Sequence, residues 1–359
     1  METSRFLLVK TILAEAVKRG AQDLHFSVGG NPCLRINGEL LSMEDKEIIT
    51  QDFMEKFINL ILTEDQKAKL NSDREIIITY DFENNLRFKI NIFYQKNFLS
   101  ATLRYIPTDI PTVASLGLNP VIKDFIKFKK GLVIVAGPFG SGRSTTVAAL
   151  LDAINQERKE YIITIENPIE YVFTNNQSVI EQREIGRDTK SFADALAYFQ
   201  EEDGDILFVE ELEDPQIIPA VLEIARGSSL VFTALTASSV SNAVSRILDS
   251  FTSFDQERVR DQLSTALKGI VCQKILPKIG GGVIVVNEIM IANEAIVSII
   301  ANGNVSQIDN IIQTSRRDGM ISFDQALAEL VHQHKISNED AMDNAINKKT
   351  LEKMISSKE

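Results

Sequence analysis

Hydrophobic and polar positions follow two different patterns along this chain of 359 residues, and the change falls near residue 107. Apolar residues recur at helical spacing over residues 1–20 and again over roughly 50–70. The other segments of this part contain short alternating runs, such as DLHFSV and LRFKINIFYQ, which are typical of half-buried strands. The pattern therefore predicts a small α+β domain over residues 1–107.

A different pattern begins after residues 108–118, which contain Pro111 and Gly117 and which we interpret as a linker. Four continuously apolar runs follow, with helical segments between them: GLVIVAGPF, YIITIENP, DILFVEE and SLVFTALTA. Such strands, alternating with helices, indicate a parallel sheet that is covered on both faces. Residues after about 291 are typical of amphipathic helices. We therefore predict an α/β fold for a second domain over residues 119–359.

Composition and charge narrow the classes of function. The net charge of −12 argues against broad nucleic-acid binding, because that binding depends on Lys and Arg neutralising phosphates. Cys33 and Cys272 lie far apart in apolar runs, which predicts neither a disulfide framework nor a metal site and favours a reducing cytoplasm. Charged residues interrupt the apolar stretches 1–20 and 283–301, so we expect neither a signal peptide nor a membrane span.

A glycine-rich segment, GPFGSGRST at residues 137–145, follows one apolar strand directly and opens a helix. This strand–loop–helix context is the one that a phosphate-binding loop requires. Gly137, Gly140 and Gly142 allow a tight curl in which successive backbone N–H groups point inward. Together with the N-terminus of the helix, these donors favour a polyphosphate. We therefore predict that the segment binds nucleotide.

The side chains at the end of this loop bear on its chemistry. Ser144 holds the position whose hydroxyl ligates Mg²⁺ in such loops, and Thr145 follows it in the first helical turn. Arg143 stands where a lysine is expected. Arginine is larger than lysine and hydrogen-bonds as a planar fork, so it is not equivalent at a phosphate site. An error of about 1 Å in geometry costs on the order of a hundredfold in rate. We therefore predict that binding is better supported than hydrolysis.

Acidic residues end two of the apolar strands. Glu211 follows the run DILFVE, and a carboxylate at this edge of a parallel sheet can bind the Mg²⁺ shell or activate water. Glu166 ends YIITIE in the same way, and both a functional role and a solvated loop acid remain open for it. We interpret the neighbouring Glu210 as structural.

Several blocks occur in the order found in twitching-motility ATPases: LHFSVGGNPCLRINGEL, the phosphate loop, TIENPIEYVF, QREIGRDTKSFADAL, DILFVEELED and GMISFDQAL. The chain resembles the PilT/PilU branch of the secretion ATPase superfamily over essentially its whole length. The resemblance implies a PAS-like N-terminal domain and a RecA-like P-loop ATPase domain. It also implies a cytoplasmic hexameric ring at the inner face of the membrane. Such a ring uses ATP and Mg²⁺ to withdraw pilin subunits and works against an inner-membrane platform protein.

The resemblance also implies roles for individual residues. Glu166 matches the acidic residue of the family's aspartate box, and Glu211 matches the Walker B glutamate. Arg87 and Arg104 match arginines of the N-terminal domain that reach the γ-phosphate. The residues that match the phosphate-binding loop are Gly140, Ser141, Gly142, Arg143, Ser144 and Thr145.

The chain departs from the family pattern at several positions of this one site. The family's TIEDPIE is TIENPIE, its Walker B GEMRD is EELED, and its retraction motif AIRNLIRE is AIVSIIAN without the charges. Both histidines of the family's HLVFGTLHT stretch and the second arginine of its FRxN segment are also replaced. The departing residues include Lys89, Phe139, Arg143, Asn167, Glu210, Ser229 and Thr236. Together they predict a relaxed demand for hydrolysis.

Three functions remain open at this point. The first is a hexameric retraction motor that binds ATP and hydrolyses it weakly. The second is a hydrolysis-deficient paralogue that scaffolds or regulates a lysine-bearing retraction ATPase. The third is an assembly or DNA-uptake ATPase, which we rank last because the zinc-binding cysteines of extension ATPases are absent from the sequence.

Overall fold

The computed structural model describes residues 2–36, 38–82, 86–199 and 201–357, and these residues form two compact units. The first unit contains the chain through Asp109 together with Pro168–Val172. The second contains Ile110–Asn167 and the chain from Phe173 onward. The domain limits inferred from sequence, 1–107, 108–118 and 119–359, stay a prediction. They assign Pro168–Val172 to the second domain, whereas this segment packs with the first unit.

The first unit is an antiparallel sheet with helices, and its described strands pair in the order β3-β2-β1-β6-β5-β4. Its elements in chain order are α1 (Glu2–Lys18), β1 (Asp23–Ser27), β2 (Cys33–Ile36), β3 (Glu39–Ser42), α2 (Gln51–Ile61), α3 (Glu64–Asp73), β4 (Glu75–Phe82), β5 (Leu86–Gln95) and β6 (Phe98–Ile106).

Strand β5 shows how alternation in the sequence divides this sheet into two faces. Phe88 and Ile90 are buried in the core, whereas Arg87 and Lys89, which alternate with them along the strand, are half-buried on the opposite face. On the core side, the rings of α2 pack edge-on against β1, with 5.5 Å between the ring centroids of Phe53 and Phe26. The polar face of β5 is therefore available to hold charged partners.

The helical stretch expected over roughly residues 50–70 is confirmed, and it consists of two helices. Helix α2 ends at Ile61, and Leu62 is extended. Thr63 then caps α3: its side chain accepts a hydrogen bond from the Gln66 N–H, and the Gln66 side chain accepts one from the Thr63 N–H. This reciprocal cap satisfies two helix-end donors and starts a new helix.

The second unit alternates strands and helices before a helical end. Its elements in chain order are α4 (Val121–Asp124), β7 (Gly131–Gly137), α5 (Arg143–Glu157), β8 (Tyr161–Glu166), β9 (Val179–Glu184), α6 (Phe192–Phe199), β10 (Ile206–Val209), α7 (Ile218–Arg226), β11 (Leu230–Thr236), α8 (Val240–Asp249), α9 (Ser253–Ala266), β12 (Leu267–Pro277), β13 (Val283–Ile291), α10 (Glu294–Ala301), α11 (Ile308–Thr314), α12 (Phe323–His332), α13 (Asn338–Asn344) and α14 (Lys348–Ser356). Short 3₁₀ helices lie at Phe125–Lys127, Val305–Gln307 and Arg316–Asp318. Among the helices of the described residues, none is both long and apolar enough to cross a bilayer.

The sheet of this unit has the order β13-β12-β7-β11-β10-β8-β9 in the described part of the chain. The strands from β12 to β9 pair in parallel, which confirms the predicted α/β fold. The sheet is mixed at one edge, where β13 runs antiparallel to β12. Gly280–Gly282 allow this reversal, since all three glycines have a positive φ.

Both faces of this sheet are buried at β7, β8, β10 and β11, which explains why these strands are continuously apolar. Leu132 and Ile134 of β7 pack into one core, and Val133 and Val135 pack into the core on the opposite face. Because successive side chains point to opposite faces, a strand covered on both sides needs apolar residues at every position. The strand β7 thereby holds its last residue, Gly137, at a fixed place on the sheet edge.

A carboxyl group is buried within this unit. Glu288 of β13 is 2% exposed, and its Oε2 accepts a hydrogen bond from the Val240 N–H of α8 at 2.6 Å. Burial raises the pKa of Glu288 to about 7, and the charges of Asp309 and Asp324 add to this rise. The backbone N–H groups of Val240 and of Phe323, the first residue of α12, favour the charged form and lower the pKa of Glu288, which offsets part of this rise.

We expect the Glu288 carboxyl to make stability depend on pH. Between the unfolded pKa near 4.3 and the folded pKa near 7, the folded chain keeps a proton that the unfolded chain has released, so stability falls as pH rises. Glu288→Gln lacks this loss, which amounts to up to roughly 3 kcal/mol. Urea unfolding of both proteins at pH 5 and pH 8 measures it. The free energy of unfolding of the variant, relative to that of the natural protein, should be higher at pH 8 than at pH 5. An equal difference at both pH values contradicts the assignment.

Candidate functional site

The segment 137–145 joins β7 to α5 through a tight turn. Strand β7 ends at Gly137 and helix α5 begins at Arg143. Gly140 and Gly142 have φ values of 79° and 83°, a left-handed conformation that glycine adopts without strain. The structure thus confirms the strand–loop–helix context expected from the sequence.

Gly137 is required by close packing. A Cβ atom added at this position would lie 2.3 Å from Ser141 Oγ and 2.5 Å from the backbone oxygen of Gln273. Both distances are far below van der Waals contact, and the second atom belongs to a neighbouring strand of the sheet. The loop therefore packs directly against β12, and its residue Ser141 is buried.

The N-terminus of α5 is open to an anion. Its N-cap is Gly142, which has no side chain to accept a hydrogen bond, and the first turn carries no acidic residue. The first N–H groups of a helix lack intrahelical acceptors, and the helix dipole adds positive potential at the same end. An anionic group such as a phosphate fits this arrangement of donors.

The side chains of the first turn of α5 lie beside this open end. Arg143, Ser144 and Thr145 are half-buried. The Nη1 atom of Arg143 donates a hydrogen bond to Thr236 Oγ1 at 3.0 Å. Thr236 is the last residue of β11, and strand pairing places it opposite Gly137. The guanidinium of Arg143 is therefore held at the edge of the sheet by the residue that replaces a family histidine.

Gln273 supports the loop, and sequence reasoning missed it. The side chain is fully buried on β12, where Nε2 donates a hydrogen bond to the backbone oxygen of Ser141 at 2.7 Å. The Oε1 atom accepts a hydrogen bond from Thr146 Oγ1 at 3.0 Å. The sequence feature that could have pointed to Gln273 is a lone amide side chain in the apolar run IVCQKIL, because a buried polar group needs hydrogen-bond partners.

Glu166 is the last residue of β8 and is only 5% exposed. Its Oε1 atom accepts hydrogen bonds from Thr164 Oγ1 at 2.6 Å and from Gln182 Nε2 at 3.2 Å. The alternative of a solvated loop acid is therefore wrong. Its catalytic role stays a prediction.

The neighbouring acids Glu210 and Glu211 differ in their surroundings. Glu210 directly follows β10, and its carboxylate accepts a hydrogen bond from the Asn167 N–H. This contact ties the ends of β8 and β10 together, as the structural interpretation of Glu210 expects. The side chain of Glu211 is exposed, although Leu212 beside it is buried. Glu211 is therefore the acid at this position that solvent reaches.

The parallel strands bring these groups to one edge of the sheet. The carboxyl ends of β7, β8, β10 and β11 meet there, because the strands run in the same direction. The loop at 137–145, Glu166, Glu211 and Thr236 all follow or end these strands. The backbone donors of the loop could hold a phosphate chain. The hydroxyl of Ser144 and the carboxylate of Glu211 are oxygen ligands of the kind that Mg²⁺ prefers.

Arg87 lies in the first unit, where all three nitrogen atoms of its guanidinium have partners. Nε donates to the Glu170 backbone oxygen at 3.0 Å, and Nη2 donates to the Ile169 backbone oxygen at 2.8 Å. Nη2 also contacts Thr79 Oγ1 at 3.2 Å, and Nη1 forms an ion pair with Asp81. Arg87 therefore fixes the returning segment Pro168–Val172 within this unit.

Arg104 lies on the same polar face of the first unit. Strand pairing sets it beside Lys89 of β5 and Asp23 of β1. Its Nε and Nη2 atoms bind the two carboxylate oxygens of Asp23 at 2.8 Å and 3.2 Å. These hydrogen bonds raise the pKa of Arg104. Lys89 binds Glu170 Oε1 at 2.7 Å, so Arg87, Lys89 and Arg104 each have an acidic partner.

Comparisons with known proteins agree on one family. Residues 3–357 match the family described as type II/IV secretion system protein. The type IV pilus retraction ATPase PilT of Pseudomonas aeruginosa is 35% identical over 341 residues, covering 94% of this chain and 98% of PilT. PilU, a type IV pilus ATPase of the same organism, is 30% identical, covering 96% of this chain and 90% of PilU. The twitching motility protein of Neisseria gonorrhoeae is 32% identical, covering 89% of this chain and 86% of that protein.

Solved structures give the same result. The crystal structure of the pilus retraction motor PilT with bound ADP superposes with a TM-score of 0.85 at 38% identity and covers 95% of this chain and 98% of PilT. The ATPase DotB of Legionella pneumophila superposes with a TM-score of 0.79 at 23% identity, covering 93% of this chain and 94% of DotB, which shows a likeness of fold.

We expect Gly137→Ala to destabilise the chain through its clash with β12. Forced contacts in a packed interior cost about 1–3 kcal/mol. Gly117→Ala is the matched control, because Gly117 also has a positive φ (66°) but has open space around it. Urea unfolding should show that Gly137→Ala loses about 1–3 kcal/mol more than the control does. Equal losses for the two variants contradict the close approach.

Proposed function

This chain belongs to the type II/IV secretion system protein family, and on that premise we propose that it is a nucleotide-binding motor subunit that serves type IV pilus retraction. The similarity to PilT, PilU and a twitching motility protein over most of each chain supports this choice within the family. The observation that carries the proposal is the loop at 137–145, which curls against β12 and leaves the N-terminus of α5 open to an anion.

ATP is the proposed ligand, and Mg²⁺ is the proposed metal. ATP supplies the phosphoryl group whose transfer drives a motor of this kind. The bound ADP of the similar PilT structure supports a nucleotide at this loop. The backbone N–H groups of Gly140, Ser141, Gly142, Arg143, Ser144 and Thr145 would hold the phosphates, which requires the Ser141 N–H to leave the backbone oxygen of Pro138.

The remaining site residues have proposed roles of three kinds. The Ser144 hydroxyl and the Glu211 carboxylate would hold Mg²⁺ or its water shell, and Glu211 would also orient the attacking water. The buried carboxylate of Glu166 would act beside them at the same sheet edge. Arg87 and Arg104 would reach the γ-phosphate, which requires them to exchange their present acidic partners for phosphate oxygens.

Further proposals concern the assembly. We assign the first unit to a PAS-like domain of residues 1–107 and the second to a RecA-like domain of residues 119–359, joined by the linker 108–118. The chain would assemble as a homo- or hetero-hexamer in the cytoplasm, at the inner face of the membrane, against a pilus platform protein. A lysine-bearing paralogue would be the partner in a mixed ring, and we expect no nucleic-acid partner.

A second candidate function is a hydrolysis-deficient paralogue that scaffolds or regulates a lysine-bearing retraction ATPase. The contact between Arg143 and Thr236 favours it, because this hydrogen bond holds the guanidinium beside β11. An arginine held there must leave Thr236 before it can contact a β- or γ-phosphate. Retained nucleotide binding without turnover is the expected result.

We predict that the natural protein binds Mg²⁺-ATP and releases phosphate slowly. Arg143→Lys should raise kcat on the order of a hundredfold, because a compact ammonium restores the phosphate geometry. Glu211→Gln should abolish phosphate release and retain ATP binding. Glu213→Gln is the matched control, since this neighbouring exposed acid pairs with Arg246. Phosphate release and ATP affinity are measured on all four proteins after assembly is checked by light scattering.

The outcomes separate the two functions. Slow release that Glu211→Gln abolishes supports the motor. ATP binding without release, in both the natural protein and Arg143→Lys, contradicts the motor; capture of a lysine-bearing relative by the same protein then supports the regulator. A folded protein that binds no nucleotide contradicts both.

A further inference from the structure

Gln273 contacts the strand that precedes the phosphate loop, the loop itself and the helix that follows it. Its backbone oxygen lies against Gly137 at the end of β7, where an added Cβ would come within 2.5 Å. Its side-chain Nε2 binds the Ser141 oxygen in the middle of the loop at 2.7 Å. Its Oε1 accepts the hydroxyl proton of Thr146, in the first turns of α5, at 3.0 Å. One residue of β12 thus fixes strand, loop and helix relative to one another.

The burial of this side chain calls for an explanation. Gln273 is fully buried, and its neighbours Val271 and Cys272 on β12 are fully buried as well. An apolar residue of similar size would fill the same space without the cost of desolvating an amide. The two hydrogen bonds offset that cost, and both partners belong to the loop and its helix. The amide is therefore placed to hold the loop.

The hydrogen bond to Ser141 has a directional consequence. The C=O and N–H of a trans peptide point in opposite directions. Because Gln273 holds the Ser141 oxygen on the side of β12, the N–H of Gly142 in the same peptide must point away from β12. Gly142 has a left-handed φ of 83° and no Cβ, so its own sterics restrain this peptide weakly. An external hydrogen bond is needed to prevent the peptide from rotating.

We propose that Gln273 is a positioning residue of the phosphate loop. It holds the Ser141–Gly142 peptide so that the Gly142 N–H is presented to a phosphate oxygen, and through Thr146 it fixes α5 in register with that donor. Donors held in place before the ligand arrives bind it without a cost of reorganisation. The proposal rests on the proposed function, because it concerns the same loop and the same nucleotide.

Three substitutions separate the two hydrogen bonds. Gln273→Met removes both and nearly keeps the volume. Gln273→Glu keeps an acceptor for Thr146 and, when ionised, replaces the donor to the Ser141 backbone oxygen with a carboxylate that repels this oxygen. Thr146→Val removes only the bond to the helix. If the peptide orientation is what matters, both Gln273 variants weaken ATP binding more than Thr146→Val does.

Asn155 offers a matched control on the same helix. It is fully buried near the C-terminal end of α5, far along the helix from the loop. Its side chain also makes two hydrogen bonds to backbone, from Nδ2 to the Thr174 oxygen at 2.9 Å and from the Asn176 N–H to Oδ1 at 3.0 Å. Asn155→Leu therefore removes a comparable buried amide without touching the phosphate loop.

Calorimetric titration with Mg²⁺-ATP and amide hydrogen exchange without nucleotide test the proposal together. We expect Gln273→Met and Gln273→Glu to weaken ATP binding on the order of tenfold or more, and to speed exchange in peptides covering residues 138–146. Asn155→Leu should lower the unfolding temperature similarly but keep affinity within about twofold, because the two sites are independent. Exchange in residues 138–146 should also remain unchanged in this control.

Two results overturn the proposal. The first is unchanged exchange over residues 138–146 in the folded Gln273 variants. The second is a loss of affinity in Asn155→Leu that equals theirs, since the effect is then one of stability alone. If the natural protein binds no ATP, the proposed function fails by itself, and the exchange experiment still decides whether Gln273 holds the loop.

Discussion

The open N-terminus of α5 is the constraint on which the rest of the site depends. A helix that begins without a side-chain cap presents unsatisfied N–H groups, and Gly142 provides no acceptor for them. The preceding loop makes a turn hydrogen bond, from the Ser141 N–H to the Pro138 oxygen, and contacts outside the loop restrain it further. Close packing of Gly137 against β12 and the buried amide of Gln273 supply these contacts. The seven-stranded sheet, buried on both faces, makes β7 and β12 rigid enough to do so.

The fold of the second unit could be predicted where a single physical rule applied. Continuous apolar runs predicted the parallel strands, and the glycine spacing at 137–145 predicted the loop, because both depend on neighbours along the chain. The hairpin of β12 and β13 escaped prediction, since Gln273 and Glu288 interrupt its apolar pattern and their partners are distant in sequence. The contact of Arg87 with Ile169 joins residues 82 positions apart. No local pattern encodes such a pair.

Four of the residues that depart from the pattern expected of the family form two contacting pairs. Arg143, in place of lysine, binds Thr236, in place of a histidine. Asn167, in place of an acid, donates its N–H to Glu210, in place of a glycine. The first contact joins two side chains, whereas the second uses the backbone N–H of residue 167.

The packing of Pro168–Val172 with the first unit means that the polypeptide enters this unit, leaves it and returns to it. The backbone oxygens of Ile169 and Glu170 are bound by Arg87, and the Glu170 carboxylate by Lys89. A fragment that stops at Asp109 would lack these acceptors and leave two cations of a half-buried face without them. The first unit is thus discontinuous in the sequence although compact in space. A single cut in residues 110–118 would not release it, because the chain still crosses between the units on either side of Pro168–Val172.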